Sequence, residues 1–304
     1  MHLSLQSPFQ LVPPAHLRAG VLGEEKRVQK NSLRSTCFAL AVLALGGLAA
    51  SRPATAQPDM IVRTDMMEHQ WVVRDEKLSP DFCSVVEGGV TPGLRRLLRF
   101  TVTTANVGNA DIHIGSPLEH YNAGDGLFEL ALCHQHFHFR NYALYQLIDP
   151  ATGTVWKAAK AGFCMLDTDP NPASMTGVPP GPREYKDCGT LTEDGNQGIS
   201  HGWSDTYRFF LGGQYFVLDG GDGQPPVPPG TYIIRITANP PYIPTASEPC
   251  RVLDPATGLC HNFAEASYAN NVGEVLVTIP EHPGKDGVGP LAGSPHLGHE
   301  PIEH

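Results

Sequence analysis

The segment at residues 133–139, CHQHFHF, contains three histidines at every second position. In a β-strand, successive side chains point to opposite faces, so His134, His136 and His138 would project from the same face. Imidazole nitrogen suits Cu(II), Zn and Ni, and three protein ligands leave positions for water or substrate. The spacing therefore predicts a catalytic metal site on this strand, and by itself it does not distinguish copper from zinc.

Two further residues have chemistry that matters in combination with the histidines. Lys160 lies in the segment KAAKAGFCMLD, and Tyr207 ends the segment WSDTY. Taken singly, each is ordinary: a solvated lysine and a strand aromatic. Together with the histidines, in this order, they resemble the catalytic domain of the lysyl oxidases. The resemblance covers roughly residues 82–277, and its anchors are CHQHFH at 133–138, KAGFCMLD at 160–167, DTY at 205–207, PGTYIIRITANP at 229–240 and YANN at 268–271.

The resemblance implies a cofactor built from the chain itself. In that family, the residues matching His134, His136 and His138 hold Cu(II). The tyrosine matching Tyr207 is oxidised and joined to the lysine matching Lys160, which gives lysine tyrosylquinone. The expected reaction is oxidative deamination of a primary amine to an aldehyde, with dioxygen as oxidant and with release of ammonia and hydrogen peroxide. The resemblance does not choose between peptidyl lysine and small amines as substrates.

The chain departs from the family at the expected general base. Animal members have a histidine seven positions after the third metal ligand, and Tyr145 stands there in this chain. Asp205 is the candidate for the base, because on a strand it would share a face with Tyr207. The resemblance also implies a disulfide between Cys133 and Cys188.

Cysteine usage agrees with export from the reducing cytosol. Six cysteines follow residue 56, an even number, which predicts disulfide bonds. Cys250 and Cys260 could close a small surface loop. A bond between Cys164 and Cys83 is one of several arrangements that remain open.

Residues 1–56 are predicted to be a leader that contains a secretory signal. Basic residues precede a mostly apolar stretch, and Ala54-Thr55-Ala56 forms a small-residue cleavage site. The apolar run is too short to span a bilayer comfortably, although a buried core helix is the alternative interpretation. We expect a secreted or periplasmic protein with no membrane span.

The charge balance becomes more acidic without the leader. The whole chain has 21 Lys and Arg against 31 Asp and Glu, and residues 1–56 hold six of the former and two of the latter, which leaves a formal balance of −14. Such a surface repels nucleic acid and attracts cationic partners. The expected partners are therefore a cationic amine or a lysine-containing protein, together with dioxygen.

The remaining pattern is one of short strands and turns. Runs rich in Ile, Val, Phe and Tyr alternate with Gly and Pro turns, which predicts an all-β domain over residues 57–280 with an antiparallel, sandwich-like core, long loops and little helix. Residues 281–304 are predicted to form a disordered tail. The predicted strands are 94–104, 136–148, 206–218, 231–238 and 273–279.

Two other functions use the same histidines. A non-catalytic, secreted copper-binding β-sandwich would bind copper and form no quinone. A zinc hydrolase would need an acid or a base beside the metal, and it would leave Lys160 and Tyr207 without a role.

Overall fold

The computed structural model describes residues 56–160, 162–246 and 248–296. They belong to one compact unit, Pro53–His304. The predicted leader lies outside the described residues except for Ala56. Within the described part of the chain, no helix has the length and apolar character needed to cross a bilayer.

Strands dominate the described residues, and the helices are short. The helices are α1 Thr64–Met67, α2 Cys83–Val86, α3 Pro117–Ala123 and α4 Ala173–Thr176. The strands are β1 Met60–Val62, β2 Trp71–Leu78, β3 Gly93–Phe100, β4 Val102–Asn106, β5 Ile112–Gly115, β6 Phe128–Ala131, β7 His136–Phe139, β8 Ala143–Ile148, β9 Val155–Lys157, β10 Asp169–Pro170, β11 Gln197–Ile199, β12 Trp203–Tyr207, β13 Tyr215–Val217, β14 Gly230–Ala238, β15 Val252–Leu253, β16 Cys260–His261 and β17 Val272–Ile279.

The strands form several antiparallel sheets, so the predicted all-β class is confirmed. One four-stranded sheet has the order β1-β4-β12-β10, and another has the order β17-β14-β8-β9. A three-stranded sheet, β13-β3-β2, is accompanied by the two-stranded pairs β6-β7, β11-β5 and β15-β16. The pairs β4-β12 and β6-β7 carry most of the residues singled out above.

The main hydrophobic core receives side chains from both four-stranded sheets. Met60 and Val102 come from the first sheet, and Leu147, Ile234 and Val277 come from the second. All five are buried, with at most 2% of each residue exposed. The alternation that predicted the strands is the alternation that fills this core, because every second side chain of a strand points to the same side.

Three of the five predicted strands are interrupted. The predicted strand 94–104 divides at Thr101, because the chain changes sheets there: β3 pairs with β2, whereas β4 pairs with β1 and β12. The predicted strand 136–148 divides between β7 and β8, where Asn141 has a φ of 55°. The predicted strand 206–218 divides into β12 and β13, and the other two agree with β14 and β17.

Residues 281–296, which the sequence places in a disordered tail, lie beside β2 instead. Val288 and Val73 exchange backbone hydrogen bonds of 2.8 and 2.9 Å. The Arg74 guanidinium donates to the Ser294 carbonyl at 2.9 Å. These bonds give the segment fixed partners, which its Gly- and Pro-rich composition does not indicate. Residues 297–304 are outside the described residues.

A buried charge network underlies this edge of the fold. The carboxylate of Glu76 accepts from Arg74 at 2.8 Å and from Arg99 at 2.7 Å. All three side chains are at most 5% exposed. Burial opposes the charged form of Glu76, yet the two guanidinium groups outweigh it and lower the pKa of this carboxyl. The charged carboxylate therefore stabilises the folded state.

We predict that Glu76→Gln destabilises the protein at neutral pH by about 3–5 kcal/mol, because it leaves two buried guanidinium groups without their carboxylate. Since the folded-state pKa of Glu76 lies below its ordinary value, this stabilisation is present above about pH 4.3 and is lost as the pH falls through the folded-state pKa. The measurement is urea unfolding of both proteins from pH 7 to pH 3. The matched control is Glu274→Gln, which removes an exposed ion pair to Arg235 and should cost about 0–1 kcal/mol. A Glu76→Gln cost as small as that of the control at pH 7 would contradict the prediction.

Candidate active site

The β6–β7 ribbon carries two of the three histidines. In its register, Glu129 lies opposite His138, and Ala131 lies opposite His136. The phenylalanines of β7 point to the other side and are fully buried. The side chains of Glu129, His136 and His138 therefore share one face of the ribbon, as the alternation predicts.

His134 does not belong to this strand, contrary to the prediction from its spacing. Gln135 has a φ of 61°, in the left-handed region, and its N–H donates to the carbonyl of Ala131. The chain therefore turns at this point, and β7 begins at His136. The ring of His134 reaches the other two from a turn rather than from the same strand.

The three imidazole rings nevertheless converge. The ring centroid of His134 lies 5.5 Å from that of His136 and 5.2 Å from that of His138, and the last two are 5.0 Å apart. Three imidazoles around one metal have centres roughly 5 Å apart, because each nitrogen lies about 2.0–2.1 Å from the ion. Within the described residues, however, no group of three or more His, Cys, Asp or Glu side chains is arranged as a complete metal site.

The chemistry of the donors fits a metal ion. The Nε2 atoms of His134 and His138 are buried, and within the described residues neither has a hydrogen-bond partner. Burial, with the nearby charges of Lys160 and the other two histidines, lowers the pKa of His138 to about 2. The ring is neutral at ordinary pH, and a neutral imidazole is the form that binds metals.

Lys160 and Tyr207 lie side by side, as the resemblance predicts. The Nζ atom of Lys160 is 4.9 Å from the centroid of the Tyr207 ring. Phe163 stands edge-on to the Tyr207 ring at 5.1 Å. The Tyr207 hydroxyl accepts from the backbone N–H of Cys164 at 2.6 Å and donates to the carbonyl of the same residue at 2.7 Å. The ring is therefore held in one orientation within reach of the lysine.

Asp205 is buried on the same strand as Tyr207, two residues before it. Its described neighbour is Tyr142, whose ring centroid is 6.4 Å from that of Tyr207. Burial, and then the charge of Asp205, raises the pKa of the Tyr142 hydroxyl well above its ordinary value. Tyr145, which stands in place of the family's histidine, packs at 5.2 Å against Phe163 in the same aromatic cluster.

A cleft of about 430 Å³ opens onto part of this arrangement. Its lining includes Lys160, His134 and His138, whereas Tyr207, Asp205 and His136 are buried outside the lining. Two acidic side chains that the sequence analysis did not single out, Glu87 and Glu129, also line the cleft. The exposed apolar side chains Val86 and Leu132 stand in the same lining. A cationic group on an apolar stem would match these surroundings.

Glu87 and Glu129 differ in whether the sequence could have indicated them. Glu129 precedes the histidine motif closely and alternates with the apolar residues of β6, so a hairpin prediction would have placed it on the histidine face. Glu87 is 47 positions from His134, and no local pattern connects the two residues.

Two of the three described disulfides differ from those that the sequence suggested. The bonds are Cys83–Cys133, Cys164–Cys188 and Cys250–Cys260. The last confirms the predicted small loop. The pairing of Cys133 with Cys188, implied by the resemblance, is wrong, and so is the suggested bond between Cys164 and Cys83. The Cα atoms of the bonded pairs are 5.3–5.5 Å apart, and the folded positions of α2 and of the segment after β9 decide which cysteines come within that reach.

The fold and the site define an all-β chain with a histidine-lined cleft and an adjoining lysine–tyrosine pair. Residues 54–248 match the family model described as Lysyl oxidase. This match covers more than half of the chain, which therefore belongs to the lysyl oxidase family.

The curated relatives are longer proteins. The chain is 27% identical to lysyl oxidase homolog 2 of Gallus gallus over 236 residues, which is 74% of this chain and 25% of that protein. It is 27% identical to lysyl oxidase homolog 4 of Homo sapiens over 61% of this chain and 23% of that protein. Its identity to lysyl oxidase homolog 3B of Danio rerio is 28%, over 68% of this chain and 23% of that protein. The chain thus spans about a quarter of the length of these relatives.

Gly162 lies so close to His138 that a side chain at this position would collide with the histidine ring. A Cβ atom at Gly162 would lie 2.1 Å from Nδ1 and 2.5 Å from Cγ of His138. We predict that Gly162→Ala displaces the His138 ring and destabilises the protein by about 1–3 kcal/mol, because the packed ring has to move. Chemical denaturation measures the free energy of unfolding, and the histidine ring signals in NMR spectra report the displacement. Gly181→Ala is the control, since a Cβ there meets no atom within 4 Å; its effect should stay within about 0.5 kcal/mol. Unchanged His138 signals in Gly162→Ala would contradict the prediction.

Proposed function

We propose that this chain is a secreted or periplasmic copper-dependent amine oxidase. The reaction converts a primary amine, dioxygen and water into an aldehyde, ammonia and hydrogen peroxide. The observation that carries the proposal is the position of the Lys160 Nζ atom, 4.9 Å from the centroid of the Tyr207 ring and in a cleft that two histidines of the triplet also line.

The proposed copper ligands are His134, His136 and His138. Imidazole nitrogen suits Cu(II), and three such ligands leave coordination positions for other molecules. When bound, copper with dioxygen supplies the oxidation of the Tyr207 phenol, and the resulting lysine tyrosylquinone is the group that accepts two electrons from the amine.

The protein's own residues position the reacting groups. The Cys164 backbone holds the Tyr207 hydroxyl, and Phe163 contacts both the Tyr207 ring and the Lys160 side chain. Lys160 must act as a neutral amine to form a bond to the oxidised ring, so its proton has to leave first.

We assign Asp205 as the base that removes the α-proton of the substrate. It is on the same face of β12 as Tyr207, and it is fully buried. Its neighbour Tyr142 stays a neutral phenol, because the pKa of that hydroxyl is raised well above its ordinary value. Asp205 would therefore be the proton acceptor of this pair.

The proposed substrates are primary amines that carry a positive charge, either small amines or lysine side chains of another protein. Glu87 and Glu129 place negative charge in the cleft lining. The formal balance of −14 beyond residue 56 acts in the same direction over a longer range. The relatives are lysyl oxidase homologs, and this agrees with a lysine substrate.

Mass measurement of the intact protein and of its peptides, after copper loading in air, tests the proposal. We expect a cross-linked peptide that contains Lys160 and Tyr207, together with labelling of the protein by phenylhydrazine. The variant Tyr207→Phe should bind copper equally well and lose both signals, because it has no oxidisable phenol at this position.

The outcomes separate the alternatives. Bound copper with no cross-link would favour a non-catalytic copper-binding β-sandwich. Amide or ester hydrolysis that depends on zinc would favour a zinc hydrolase. Amine turnover by Tyr207→Phe would contradict the quinone.

If the acidic surface selects substrates by their charge, a further prediction follows. A basic peptide with one lysine should show a higher kcat/KM than an acidic one, and the difference should decrease with added salt, because screening limits such attraction to roughly 8–10 Å. We expect Glu129→Gln to reduce the preference for the basic peptide about fivefold, since one charge pair at about 4 Å in water is worth about 1 kcal/mol. The values of kcat should differ less than those of kcat/KM, because the chemical step follows docking.

The control for this prediction is Glu274→Gln, which makes the same change in net charge on β17, outside the cleft lining. If both variants reduce the preference equally, net charge selects the substrate and the cleft does not. Equal kcat/KM for the two peptides at low salt in the parent protein would contradict charge selection altogether.

A further inference from the structure

His134 needs a support other than strand β7. The left-handed conformation of Gln135 separates it from the strand. The described hydrogen bond of its ring is with Glu87, whose Oε2 atom lies 2.7 Å from Nδ1 of His134. The other carboxylate oxygen of Glu87 accepts from the backbone N–H of Cys133 at 2.5 Å. A single carboxylate thus holds both the backbone before His134 and the ring itself.

This contact determines which ring nitrogen faces the other histidines. A carboxylate accepts hydrogen bonds and has no proton to donate, so Nδ1 of His134 carries the hydrogen. The lone pair is then on Nε2, which is buried and, within the described residues, without a hydrogen-bond partner. The His134 ring centroid is 5.2 Å from that of His138. Glu87 therefore selects the tautomer that turns a donor nitrogen inward.

Helix α2 keeps Glu87 in place. Glu87 follows the last residue of the helix, and its N–H donates to the Cys83 carbonyl at 2.8 Å. Cys83 in turn forms the disulfide to Cys133, the residue before His134. The carboxylate and the imidazole are thus joined through a short covalent path as well as by their hydrogen bond.

We propose that Glu87 is a positioning residue for His134 and that it raises the affinity of the histidine triplet for copper. The inference rests on the proposed function in one respect, namely that His134 is a copper ligand. Groups that orient a metal-bound histidine commonly change metal affinity by about 10–100-fold. Glu87 acts through the imidazole and does not contact the reacting groups.

Glu129 provides the matched comparison. It also lines the cleft, and it lies opposite His138 in the ribbon. Its described ion pair is with Arg140, at 3.6 Å, and half of its side chain is exposed. Loss of its charge changes the electrostatics of the cleft as the loss of Glu87 does, but it removes no hydrogen bond to a histidine ring.

The test measures Cu(II) affinity by competition with a chromophoric chelator, and the Cu(II) EPR spectrum, in a Tyr207→Phe background in which no quinone forms. We expect Glu87→Gln to weaken copper binding about 10–100-fold and to alter the EPR spectrum. A glutamine can still accept from Cys133, but its NH2 group and the Nδ1–H of His134 are both donors. Glu129→Gln should change the affinity no more than about fivefold, which is the effect of one exposed charge in water.

A double-mutant cycle distinguishes positioning from a general structural role. In a His134→Ala background, Glu87→Gln should have no further effect on copper affinity, because the ring on which it acts is absent. An equal loss in both backgrounds would overturn the inference, as would parental affinity in Glu87→Gln.

His136→Ala separates this inference from the proposed function. If it abolishes tight copper binding while Glu87→Gln has no effect, the role of Glu87 alone is wrong. If His136→Ala leaves copper affinity unchanged, the assignment of the copper ligands is wrong, and the proposed role of Glu87 is then wrong as well.

Discussion

The contact of Lys160 with the Tyr207 ring depends on a short irregular segment around Lys160, whose backbone groups need hydrogen-bond partners. The Ala159 N–H donates to β13, the Cys164 N–H donates to the Tyr207 hydroxyl, and the Phe163 carbonyl accepts from β7. A buried backbone group without a partner costs free energy, so these bonds restrict the path of the segment. Because β7 carries His136 and His138 and β12 carries Tyr207, these backbone bonds bring the lysine, the phenol and two of the three imidazoles together.

Acidic side chains serve different purposes at different depths of the fold. Glu76 is buried between two arginines and stabilises the edge formed by β2 and β3. Glu87, partly exposed, holds the ring of His134. Glu129, half exposed, is available to a cation in the cleft. The acidic residues counted in the composition therefore have three different surroundings: a buried ion pair, a hydrogen bond to a histidine ring, and the exposed lining of the cleft. The net charge of the chain does not distinguish among them.

Much of the fold followed from local patterns. The alternation of apolar residues predicted β14 and β17 closely, and it placed His136 and His138 on one face. It failed where the chain changes sheets at Thr101, because β-propensity continues through a residue whose neighbours pair with different strands. It also extended β7 back to His134, because the alternation of residue types does not show that Gln135 has a left-handed backbone conformation.

The sequence by itself determined the strand-rich class and the spacing of the histidine triplet, and the family resemblance led to the expectation that Lys160 lies beside Tyr207. Only the tertiary structure decided that Cys83 of α2 and Glu87, the residue after α2, both bind the segment before β7. It also decided that Cys188 bonds to Cys164 and that Gly162 leaves room for a histidine ring. The reason is physical. Alternation and turn chemistry act between residues a few positions apart, whereas these contacts join distant segments whose meeting depends on how whole sheets pack.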